Sequence, residues 1–140
     1  MKYYEIHAFN EIGYQKLFSY NTWRVAILNY IDELEIERIQ YVEAHSLTDE
    51  AFVLLSGHCQ LFFADVKDNH VTHFEVVSLE PHWVYRIPKG IFHTHTLSED
   101  AKLLIIEEED TSEMNSPRVY LDEEAKQLLV KTYKEHIHGF

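Results

Sequence analysis

Five side chains in this sequence have the types and spacing to hold a metal ion: Glu43, His45, Glu50, His93 and His95. Glu43 and His45 are two residues apart, so in a strand both project from one face. Ser46 to Asp49 reads as a tight polar connection, and Glu50 opens a further strand, Ala51 to Leu55, that closes at Gly57. A hairpin of this form returns Glu50 toward His45. His93 and His95, again two apart, share a face on a distant strand. Imidazole nitrogens and a carboxylate oxygen suit Fe(II), Mn(II), Ni(II), Co(II) or Zn(II). Two His and one carboxylate, with other positions open, is also the ligand set of non-heme iron oxygenases. The same groups can instead pair by hydrogen bonds alone, because a buried polar group needs a partner and not specifically an ion.

The elements that must position these residues are mostly strands. Residues 1–14 are rich in Tyr and Phe without a clean period and read as an extended arm or edge strand. Gln15 to Tyr20 and Trp23 to Tyr30 follow as strands around an Asn21-Thr22 turn. In the second, Trp23, Val25 and Ile27 share one face, and Arg24 marks the other as outward. Glu35 to His45 alternates so that Ile39, Tyr41, Glu43 and His45 face inward. Further strands are His58–Val66, His70–Leu79, Trp83–Ile87, Phe92–Leu97 and Lys102–Glu109, with turn residues between them. Many short strands at near-regular spacing predict an antiparallel sandwich or barrel, an all-β fold. Asp122 is a plausible N-cap, and Ala125, Leu128, Leu129, Thr132 and Tyr133 recur at helical spacing. That predicts an α-helix over about 122–136. The acidic run Glu107-Glu108-Glu109-Asp110 reads as a solvated strand end.

Two stretches resemble the signatures of the cupin family. His45, four residues, Glu50, six residues and Gly57 match the first in spacing, with Glu43 where the pattern has its first His. Pro88-Lys89-Gly90-Ile91-Phe92-His93 is similar to the second, with Leu97 in place of the Asn that often follows. The two frame residues 43–97. The resemblance implies a cupin double-stranded β-helix, a jelly-roll barrel over about 15–110, with the helix packed on it. It also implies a divalent transition metal on His45, Glu50 and His93. A fourth ligand is expected at His95 in preference to Glu43, since a second carboxylate beside Glu50 adds like charge.

Composition narrows the function classes. A chain of 140 residues, 46% hydrophobic and 14% aromatic, is one domain by length (1–140) with enough apolar material for a core. A net charge of −12 argues against nucleic acid and against anionic membrane surfaces as partners. There is no apolar run of membrane-spanning length and no signal-peptide pattern at Met1-Lys2-Tyr3-Tyr4, and the single Cys59 suits a reducing compartment, so a cytoplasmic protein is expected. Phosphate loops, Gly-x-Ser-x-Gly elbows, Cys-x-x-Cys and His-Glu-x-x-His are absent. The expectation is a small cupin binding a divalent metal and a small-molecule ligand. The alternatives are an Fe(II) oxygenase, a sugar or keto-acid isomerase using Glu43, His95 and Tyr85 as acid–base groups, or a metal-free binding module. A homodimer is also expected, from the resemblance and from the aromatic content of residues 1–30, with Tyr3, Tyr4, Phe9, Tyr14, Phe18, Tyr20 and Trp23.

Overall fold

Residues 3–138 of the computed structural model are described, so Met1 and Lys2 of the N-terminal arm lie outside the described residues. The strands are β1 (Tyr14–Tyr20), β2 (Trp23–Asn29), β3 (Tyr41–Glu43), β4 (Glu50–Ser56), β5 (Cys59–Lys67), β6 (His70–Ser78), β7 (Val84–Ile87), β8 (Phe92–Leu97), β9 (Lys102–Glu108) and β10 (Arg118–Tyr120). The helix α1 (Glu123–His138) follows. The strands form two antiparallel sheets, in the orders β1-β2-β9-β4-β7 and β10-β3-β8-β5-β6. This is a jelly-roll architecture with a C-terminal helix.

Alternation along each strand explains the two cores. Ala26 and Leu28, Phe52 and Leu54, Leu103 and Ile105, and Ile87 point from the first sheet onto Leu61 and Leu97 of the second. Fully burying one such Leu or Phe contributes about 1.5–3 kcal/mol. The outer face of the second sheet is apolar too. Val42, Phe62, Phe74 and Val119 meet Ala125 and Leu129 of α1 there. Asp122 caps the helix by accepting from the Ala125 N–H at 2.8 Å. Asp68 and Asn69 both adopt left-handed backbone (φ 52° and 63°), which closes the β5–β6 hairpin with the twist that antiparallel strands favour.

Four sequence expectations change. The stretch 43–57 is not a hairpin. β3 and β4 belong to opposite sheets, and residues 44–49 cross between them. The strand expected over 35–45 shrinks to Tyr41–Glu43, because the charged run before it folds into local turns: a 3-10 turn at Asp32–Leu34 and an Arg38 N–H bond to the Glu35 carbonyl. Arg24 faces inward with Ala26 and Leu28, while Trp23 is 40% exposed. β10 forms in a region where no strand is expected. Residues 3–13 are an extended arm without strand pairing. The Asn29 amide donates to the carbonyls of Phe9 and Glu11, and Lys102 donates to Phe9 and Asn10.

Candidate metal centre and cavity

His45, Glu50 and His93 meet from three places: just beyond β3, the first residue of β4 and the second of β8. Their donor atoms lie within 4.8 Å of one another. Glu50 Oε1 is 3.1 Å from His93 Nε2 and 3.4 Å from His45 Nε2, and all three residues are buried. The connecting segments hold them there. The Gly90 N–H donates to the His45 carbonyl at 2.8 Å, and the Lys89 N–H and Arg86 Nε donate to Asp49 at 2.9 and 2.8 Å. Gly90 has φ 83°, a conformation that favours glycine. The two signature stretches are thus bonded directly to each other.

The outer nitrogens of both imidazoles are committed away from Glu50. His93 Nδ1 lies 3.0 Å from the Ile91 carbonyl, which can only accept, so Nδ1 carries the hydrogen. The Ser116 hydroxyl lies 2.8 Å from His45 Nδ1 and holds that nitrogen away from Glu50. In a neutral His93 ring the Nε2 lone pair then points at the carboxylate, and His45 Nε2 faces the same oxygen. Lone pairs facing an anionic oxygen at this range require a cation between them, either a proton or a metal ion. Fixing the far nitrogen by a carbonyl or hydroxyl is also how proteins orient metal-binding His. The donor set and its outer bonds therefore fit a divalent transition metal.

A second carboxylate lies behind Glu50. On β9, Leu103, Ile105 and Glu107 alternate inward, and Glu107 is 6% exposed, so this member of the acidic run is not solvated. Arg24 stands opposite it in the β2–β9 register and donates to Glu107 Oε1 at 2.6 Å, and Tyr14 Oη donates to the same oxygen at 3.2 Å. Burial, reinforced by the hydrogen bond and negative charge of Glu50, pushes the Glu107 carboxyl up to about 7, against the opposing pull of Arg24. Burial also acts to raise Glu50, but hydrogen bonds from His45, His93 and Glu107 outweigh it and hold Glu50 well below the usual carboxylate range. His45 is raised, since its bond to Glu50 and the Glu50 charge overcome desolvation.

Neither candidate fourth ligand joins the three-residue cluster. Glu43 pairs with His93 in the β3–β8 register, but its carboxylate accepts from Arg118 Nε at 2.8 Å. His95 sits one pleat beyond His93, roughly 6.5 Å along the strand, edge-on to Phe52 at 5.3 Å between ring centres. Both of its ring nitrogens are buried without a partner, and burial pulls its pKa down to about 4. A cavity of about 630 Å³ opens beside the centre, with His93, His95, Glu43, Tyr41 and Tyr120 in its wall. Among the aromatics, Phe52 is core, Trp23 and Trp83 are exposed, and Tyr85 accepts from the Glu80 N–H. Arg24, Glu107 and Tyr14 are the residues that sequence reasoning missed. Period-two alternation from Leu103 was the available signal for Glu107.

Neither a protein-family model nor a curated protein matches the sequence. Solved structures do. A cupin-2 domain protein from Shewanella frigidimarina superposes with a TM-score of 0.51 at 24% identity, covering 70% of this chain and 82% of that one. The chain has the cupin fold. Two further cupin-like structures extend the match. Streptomyces PAC13 with uridine gives a TM-score of 0.57 at 13% identity, over 89% of this chain and 97% of that one. The QdtA 3,4-ketoisomerase from Thermoanaerobacterium thermosaccharolyticum, in complex with TDP, gives 0.53 at 15% identity, over 82% and 75%. No helix among the described residues is long and apolar enough to cross a membrane.

Proposed function

We propose that this cupin binds a divalent transition metal through His45 Nε2, Glu50 Oε1 and His93 Nε2, and a small-molecule ligand in the adjoining cavity. The observation that carries the reading is the pair of buried imidazole Nε2 atoms set against one buried carboxylate oxygen, at 3.1 and 3.4 Å. Three protein donors leave further coordination positions open, and a metal bound there supplies Lewis acidity to a ligand in the cavity. The chain's own residues do the rest. Ser116 and the Ile91 carbonyl orient the rings, Glu107 and Arg24 support Glu50 from behind, and Phe52 packs edge-on against His93. A small-molecule ligand accords with the structures of this fold solved with uridine and with TDP. The test is elemental analysis of untagged protein purified without added metal. About one equivalent of Fe, Mn, Ni, Co or Zn per chain is expected. Protein that carries none, and takes up none on dialysis against these ions, contradicts the proposal.

The proposal includes a homodimer. Tyr3, Tyr4, Ile6, Ile12, Tyr20 and Trp23 all lie exposed near one end of the chain, more apolar surface than a short arm leaves in water. Light scattering at micromolar concentration should give twice the chain mass, and a monomer mass counts against it.

A further inference from the structure

We infer that the cavity selects an uncharged small molecule, a ring bearing a hydrogen-bonding group, and rejects its phosphorylated form. This deepens the ligand half of the proposed function and does not depend on the metal half. Three observations point the same way.

The first is charge. The cavity wall carries Glu33, Glu37 and Glu43 against a single Arg38. Arg38 is already bound to Asp32 at 3.0 Å, and neighbouring Arg118 is bound to Glu43 at 2.8 Å and Glu113 at 3.0 Å. Glu33 and Glu37 make no ion pair among the described residues. A phosphate entering the cavity meets two uncompensated carboxylates and no unpaired guanidinium, the opposite of the arginine forks that recognise phosphate.

The second is His95. A buried polar atom in a folded protein almost always has a partner, and here both nitrogens of one imidazole have none. The ring belongs to the cavity wall. A neutral imidazole offers one donor and one acceptor in divergent directions, so a ligand satisfies one of them with a single complementary hydrogen-bonding group.

The third is the aromatic wall. Tyr41 and Tyr120 stand opposite each other in the β3–β10 register, with ring centres 5.4 Å apart. The Arg118 guanidinium lies 4.2 Å over the Tyr41 ring and fixes it, while Tyr120 stays 64% exposed. This leaves an open tyrosine face at the cavity for a flat ring to stack on.

Calorimetric titration of the full chain tests the inference, using adenosine, cytidine, thymidine and glucose, each beside its monophosphate, with metal and in EDTA. At least one uncharged compound should bind, with its phosphate ester about tenfold weaker or worse. His95→Leu and Tyr120→Ala should each reduce that affinity about tenfold with unfolding still cooperative. Tyr120 is exposed, so its variant keeps the test valid even if the His95 variant folds poorly. A phosphate ester binding as tightly as its parent overturns the inference. So does binding of none of the uncharged compounds, or unchanged affinity in both variants, as water filling the cavity would give. Selectivity that persists in EDTA upholds the inference even if the chain retains no metal, so the two readings fail separately.

Discussion

Replacing Glu107 by Gln removes one charge from a buried carboxyl pair while keeping its shape. The Gln oxygen still accepts from Arg24, and its amide can donate to Glu50. Glu107 titrates at about 7 in the folded protein against an ordinary 4.5. A carboxyl raised on folding binds its proton more tightly in the native state. Its stabilising effect is therefore complete at low pH and is lost as pH climbs from about 4.5 to about 7. At about 1.4 kcal/mol per pH step, this one group removes about 3 kcal/mol in all, of which about 2.5 kcal/mol falls between pH ~5 and pH ~8. Any change in packing or neutral hydrogen bonding at this site adds an offset that does not vary with pH. Urea unfolding in EDTA at several pH values separates the two effects, because only the slope reports Glu107. Wild type should lose about 2.5 kcal/mol more than Glu107→Gln on going from pH ~5 to pH ~8. Parallel pH profiles, or a steeper fall in the variant, refute the shared-proton picture of Glu50 and Glu107.

Other substitutions probe other parts of the account. His45→Ala or His93→Ala should abolish metal retention in elemental analysis yet cost only about 2 kcal/mol in urea unfolding, because each removes one donor and little apolar core. His95 is pulled down on folding to about 4 from 6.5, so the unfolded chain takes the proton first and stability is lost as pH falls between those values. His95→Leu should abolish that acid loss, about 2.5 kcal/mol between pH ~7 and pH ~4.5, seen by comparing thermal unfolding at those two pH values with wild type. Gly57→Ala should destabilise by at least about 2 kcal/mol in the same assay. Its φ is 72°, and an added Cβ would lie 2.6 Å from the Ala101 backbone.

Local pattern made much of the fold legible. The strands β4 to β9 fall close to their expected bounds because apolar alternation and turn residues agree there. His45, Glu50 and His93 were legible as a set because two spaced signatures carried them. The route that unites them was not. Two strands separated by a short polar connection look the same in sequence whether they pair or cross between sheets, and here residues 44–49 cross. Arg24 was read as outward because charge normally seeks water. Its inward placement depends on Glu107, eighty-three residues away, which no local window contains. Glu43 shares the inner face as its parity requires, but Arg118 of the unforeseen β10 holds its carboxylate.

The most direct test of the central claim is anomalous diffraction from a crystal of the protein grown with Mn(II), Co(II) or Zn(II), recorded on either side of the metal edge. One strong peak is expected within bonding distance of His45 Nε2, a Glu50 carboxylate oxygen and His93 Nε2, about 2.0–2.3 Å from each. A map with no peak at this centre, or with its peak on other side chains, contradicts the claim.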